Sequence, residues 1–151
     1  MGHFHFKTGP IRYAQGTWRF LHGSPHVPAL FAAEAGYEIV LAVGVQNIRA
    51  KSIRQTGILI DRALERGYQV NTPLDAKLRG GTVTINVPHG KAVTRELNRR
   101  EVLVDYRPGG GIRMSPHFYT QDEELLRALD EIKDILATKA YERHLAAEVN
   151  Y

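Results

Sequence analysis

Apolar residues along this chain recur in two different periods, and the change from one to the other marks its elements. From Val27 to Gly44, the residues Leu30, Ala33, Tyr37 and Leu41 return every three or four positions, which predicts a helix, and Pro28 is tolerated in its first turn. Ile53, Gly57, Ile60 and Leu64 fall at i, i+4, i+7 and i+11, with Arg, Lys and Gln on the opposite face and Gly67 as a stop, which predicts a second helix. After a loop over 70–81 containing Pro73 and the pair Gly80-Gly81, the period drops to two. Val83, Ile85 and Val87 alternate with Thr82, Thr84 and Asn86, the signature of a half-buried strand. A short helix over 90–99 follows, then a second alternation at Val102, Val104 and Tyr106. The turn Pro108-Gly109-Gly110-Gly111 leads into a third strand over Ile112–Met114, and these last two strands should form a hairpin. Thr120 with Glu123 makes a capping box ahead of the stripe Leu125, Leu129, Ile132 and Leu136.

Three stretches follow from this pattern. Residues 1–26 carry Gly2, Gly9, Pro10, Gly16, Gly23 and Pro25 without a clear period, and read as an irregular segment whose Phe4, Phe6, Trp18 and Phe20 need cover. Residues 27–138 read as one small α+β domain with a three- to four-stranded, mostly antiparallel sheet and helices packed on one face. Residues 139–151 form a tail that extends the last helix or frays. Neither repeats nor low-complexity tracts interrupt the chain.

Composition narrows the classes. An apolar share of 43% and a charged share of 24% in 151 residues are those of a globular chain able to bury a core. The net charge of +4 invites a nucleic-acid partner. Its distribution argues against one: acids and bases interleave, as in Asp61, Arg62, Glu65 and Arg66, and no five like charges run together. Cysteine is absent, which removes disulfides and thiolate metal sites, and the cytoplasm is the expected compartment. No stretch reaches the roughly 18 uninterrupted apolar residues of a membrane helix.

Candidate chemistry is sparse. His3 and His5 lie close together and His22 and His26 four apart, but Gly23 and Pro25 break any helix between the second pair and no acidic ligand stands beside either, so no metal site is expected. Ser24, Ser52 and Ser115 lack the Gly-x-Ser-x-Gly elbow of a serine hydrolase. The glycines 109–111 lack a following helix and a phosphate-loop lysine, so they read as a turn. Arg113 is the informative residue. It sits on a short strand, after a flexible turn and before Ser115-Pro116-His117-Phe118-Tyr119. A planar guanidinium fixed on a strand suits bidentate capture of a carboxylate, and aromatic neighbours would exclude water. The plain alternative is an arginine exposed at a sheet edge.

The stretch Gly109-Gly110-Gly111-Ile112-Arg113-Met114-Ser115-Pro116-His117-Phe118-Tyr119, preceded by Val104-Asp105-Tyr106-Arg107-Pro108, resembles the terminal segment of kynureninase-like and class V aminotransferase-fold enzymes. So do Arg19-Phe20-Leu21-His22-Gly23-Ser24-Pro25 and Ile48-Arg49-Ala50-Lys51-Ser52-Ile53-Arg54-Gln55-Thr56, with Arg79-Gly80-Gly81-Thr82-Val83 as a weaker fourth match. In the family's order they span about residues 2–138. The spacing and the Gly2-His3 opening favour the kynureninase branch, while the Ser-Pro-His-Phe-Tyr ending also suits selenocysteine lyase, cysteine desulfurase or epimerase-like relatives.

The resemblance implies the C-terminal small domain of a fold-type I enzyme dependent on pyridoxal 5'-phosphate (PLP), in a homodimer. Arg113 matches the arginine that binds the substrate α-carboxylate. Gly23 and Ser24 match the pair that approaches the cofactor phosphate of the neighbouring subunit, and serine keeps a hydroxyl for that phosphate. Arg54 and Arg107 match recurrent positions and read as structural. None of Lys7, Lys51, Lys77, Lys91, Lys133 and Lys139 fits the family's Schiff-base motif. The resemblance therefore implies a missing large PLP-binding domain, an amino-acid substrate, hydrolytic Cβ–Cγ cleavage in a kynureninase-like parent, and an inactive isolated chain. A self-standing binding module for an acidic metabolite or a protein partner is the reading from a different class.

Overall fold

A computed structural model describes residues 9–21 and 23–145, and the chain divides into two compact units, Met1–Ala42 and Val43–Tyr151. The division falls at the end of the first helix.

In the first unit a 3-10 turn spans Gly16–Phe20, and helix α1 runs Val27–Val43, as its period predicts. His26 starts the helix: its Nδ1 accepts the Ala29 amide at 3.1 Å, and its carbonyl accepts the Leu30 amide at 3.3 Å. Helical timing has not produced burial, because none of the α1 side chains is buried and Leu30, Tyr37 and Leu41 are exposed. Trp18 and Phe20 are likewise exposed rather than covered. Phe4 and Phe6 lie outside the described residues.

The second unit contains α2 (Val45–Glu65), β1 (Gln69–Val70), β2 (Val83–Asn86), α3 (Gly90–Arg99), β3 (Asp105–Arg107), β4 (Gly111–Met114), α4 (Asp122–Thr138) and a 3-10 turn at Ala140–His144. The sheet is four-stranded in the order β1-β2-β4-β3, and each neighbouring pair is antiparallel. This is the expected α+β architecture, with β1 as a strand that the loop reading of 70–81 did not foresee. Val83, Ile85, Ile112 and Met114 turn one face of the sheet inward against Leu59, Ile60 and Ala63 of α2, Val93 and Leu97 of α3, and Leu125, Leu129, Ile132 and Ile135 of α4. Burying each Leu or Ile there contributes about 1.5–3 kcal/mol, so the α4 stripe is a main support of the core.

Three local expectations shift. The buried face of α2 is Gln55, Thr56, Leu59, Ile60 and Ala63, while Ile53 and Leu64 are exposed. Two polar residues take core positions because the chain satisfies them. Gln55 Nε2 donates to the Thr120 carbonyl at 2.8 Å and to Asp122 Oδ1 at 2.9 Å, and Thr56 Oγ1 donates to the Ser52 carbonyl at 2.8 Å. The second strand begins only at Asp105. The amides of Val102 and Val104 are spent on the end of α3, donating to the Leu97 carbonyl at 2.9 Å and Asn98 Oδ1 at 3.0 Å, so those residues join no ladder. The capping box stands one residue later, at Gln121 and Glu124, where Glu124 Oε2 accepts the Gln121 amide at 2.7 Å. Thr120 Oγ1 instead accepts the His117 amide at 3.0 Å. Among the described residues no single helix is long and apolar enough to cross a membrane.

Candidate functional site

Successive side chains of a strand point to opposite faces, so the strands that send Ile112 and Met114 inward send Arg113 outward. In the register of the sheet, Arg113 lies opposite Thr84 of β2 on one side and Asp105 of β3 on the other, which sets the three on one open face. The turn between β3 and β4 closes through the Gly110 amide, donated to the Arg107 carbonyl at 2.9 Å, and Asn71 Nδ2 holds the Gly110 carbonyl at 2.7 Å. Gly111 is required there. Its φ is +100°, and a Cβ would collide with the Ile85 carbonyl across the sheet.

Arg113 and Asp105 form a parallel bidentate pair, Nε to Oδ1 at 2.7 Å and Nη2 to Oδ2 at 2.5 Å. Arg107 Nη2 reaches the same Oδ2 at 3.0 Å. The hydrogen bond from Arg113, aided by the charge of Arg107, holds the Asp105 carboxyl below its ordinary range, and partial burial opposes this. Arg113 keeps 40% of its side chain exposed. The aromatic wall read from the sequence does not close over it: His117 packs on Phe118 and Tyr119, with ring centroids 4.4 and 4.2 Å away, and Tyr119 is exposed. That segment is pinned to α2 by Lys51 Nζ, which donates to the Phe118 carbonyl at 2.7 Å.

Arg54 forms a bidentate pair with Asp122 at the start of α4, where Asp122 also accepts from Gln55. The pair ties α2 to α4. Gly23 and Ser24 lie in the first unit as exposed bends before α1, and a Cβ at Gly23 would meet nothing within 4 Å. Attachment of PLP needs a buried lysine, and none of the described lysines is buried. Lys77, Lys91, Lys133 and Lys139 are exposed, while half-buried Lys51 is bonded to Phe118. Lys7 and His22 lie outside the described residues. Among the described residues no group of three or more His, Asp or Glu side chains is arranged to hold a metal.

Sequence reasoning assigned no role to Asp105. The available signal was an acid eight residues before Arg113 across a glycine turn, a spacing that sets the two opposite each other in a hairpin.

The kynureninase C-terminal domain model matches residues 48–132. A kynureninase of Geobacillus thermodenitrificans is 29% identical over 126 residues, covering 80% of this chain and 29% of the relative. An uncharacterised aminotransferase, YcbU, of Bacillus subtilis is 29% identical over 120 residues, covering 80% of this chain and 32% of its own length. Among solved structures, the cysteine desulfurase of Thermococcus onnurineus superposes with a TM-score of 0.73 at 20% identity, over 84% of this chain and 35% of that one. The chain thus spans under a third of the length of these curated relatives.

Proposed function

We propose, since the chain belongs to the kynureninase C-terminal domain family, that it is the substrate-carboxylate-binding part of a class V enzyme that uses PLP and acts on an amino acid. The observation that carries this reading is Arg113, held on a strand with its guanidinium on the open, polar face of the sheet and 40% of the side chain accessible. A guanidinium so held offers parallel N–H donors to a carboxylate.

When bound, PLP supplies an electron sink for the substrate's Cα. This chain's contribution is orientation. Arg113 fixes the carboxylate, and a fixed carboxylate decides which bond to Cα is aligned for cleavage. Ser24 and Gly23, exposed before α1, are the residues we assign to the cofactor phosphate of a neighbouring subunit in a homodimer. The attachment lysine is assigned to the large domain, so the 151 residues alone carry the clamp without catalytic activity.

Within the class, hydrolytic Cβ–Cγ cleavage of kynurenine is the first reading. A second reaction, amino transfer, draws support from the equal identity of the Bacillus aminotransferase and the kynureninase. Both readings use the same clamp. In the full-length enzyme, Arg113→Ala is expected to lower kcat/KM for the amino acid by about tenfold to a hundredfold, from the loss of roughly 1.5–3 kcal/mol for hydrogen bonds to a charged group, with cofactor absorbance retained. An unchanged kcat/KM would remove Arg113 from the site. Comparing kynurenine with cysteine and with simple amino donors as substrates separates the reactions.

A further inference from the structure

We propose that Asp105 is the positioning residue of the Arg113 clamp, gripping the guanidinium along its Nε–Nη2 edge so that the Nη1–Nη2 end is presented to a ligand carboxylate. The inference rests on the reading of Arg113 as a carboxylate binder. The two residues are Cα partners across β3 and β4, so their side chains rise from one face of the sheet. Both Asp105 oxygens are engaged by Arg113, at 2.7 and 2.5 Å. A guanidinium has five N–H donors, and this grip consumes the two on one edge, leaving three: both on Nη1 and the outer one on Nη2. Among the described residues Arg113 makes its side-chain hydrogen bonds to Asp105.

Two consequences follow for recognition. A free arginine loses rotamer freedom when it binds, whereas one already fixed by Asp105 has taken that loss before the ligand arrives. Charge also remains in excess, because one carboxylate faces two guanidiniums, Arg113 and Arg107 at 3.0 Å from Oδ2. The site is therefore attractive to an anion although its arginine is already paired. With one end presented, it takes a single carboxylate group, as an α-amino acid provides.

The test uses the full chain and the NMR signal of the Arg113 Nε–H, assigned by its loss in Arg113→Lys. The probe is L-alanine, with L-alaninamide as the control lacking a carboxylate. Without ligand, Asp105→Asn is expected to speed exchange of that proton by about tenfold or more, since it removes a charged hydrogen-bond acceptor. It should weaken the response to L-alanine by a comparable factor, and Asp105→Glu should restore part of both. Unchanged amide signals at Leu129 and Ile112 show that each variant is folded. Exchange and L-alanine response both unaltered in Asp105→Asn would overturn the proposal. A wild-type Arg113 signal that ignores L-alanine overturns instead the carboxylate reading, and the two failures are distinguishable because the exchange rate needs no ligand.

Discussion

Glu96 and His144, 48 residues apart, meet with 2.8 Å between Oε2 and Nε2, and this contact closes the 3-10 turn after α4 onto α3. The Glu96 side chain is fully buried, yet it is met by Arg99 at 2.7 Å, Arg100 at 3.1 Å and Arg143 at 3.7 Å. Stacking of His89 on Tyr141, with centroids 4.5 Å apart, reinforces the same junction.

The Arg99 hydrogen bond, with those of His144 and Arg100, outweighs burial and holds the Glu96 carboxyl far below its ordinary range. A depressed carboxyl stabilises the fold above its unfolded pKa of about 4.3, and the contribution fades as pH falls toward the folded value. Urea denaturation should therefore show a Glu96-dependent loss of stability below about pH 4.3. Glu96→Gln should cost about 1.5–3 kcal/mol at neutral pH and flatten that acid-side slope. A variant as stable as wild type at pH 7 would mean that the network is dispensable.

Leu129 is fully buried between the sheet and its neighbouring helices. Leu129→Ala should destabilise the second unit by about 2–5 kcal/mol, read as a fall in urea midpoint with an unchanged slope.

Two glycines of one turn should respond differently to alanine. At Gly109, with φ at +76° and nothing within 4 Å of a Cβ, the cost is the left-handed backbone alone, about 1 kcal/mol. At Gly111 the backbone cost is joined by a collision with Ile85, so strand β4 must shift. Melting curves that rank the two variants equally would contradict the close approach of β2 and β4.

Incubation with PLP and reduction by borohydride should leave no adduct confined to a single lysine, since none of the described lysines is buried in a site that would single it out. One adduct per chain by mass spectrometry would locate a cofactor lysine here.

Legibility in the sequence followed the cause of each element. The α4 stripe and the alternation at β2 were plain because apolar burial alone sets them. The face of α2 was hidden because Gln55 and Thr56 are buried by hydrogen bonds, which a hydrophobic pattern counts as outward. Arg113 was singled out as a candidate through its turn and the resemblance of its segment. Asp105 was passed over because its pairing with Arg113 is visible only once the register sets the two opposite each other. The two residues of β1 were too short to establish any period.

The pleat of β4 separates two kinds of selection. Ile112 and Met114 answer to packing, while Arg113 between them answers to whatever lies outside. Exchanges at Thr84, Asp105 and Arg113 would retune recognition with little repercussion on the interior, so one inherited scaffold could diverge in specificity without first rebuilding its foundation.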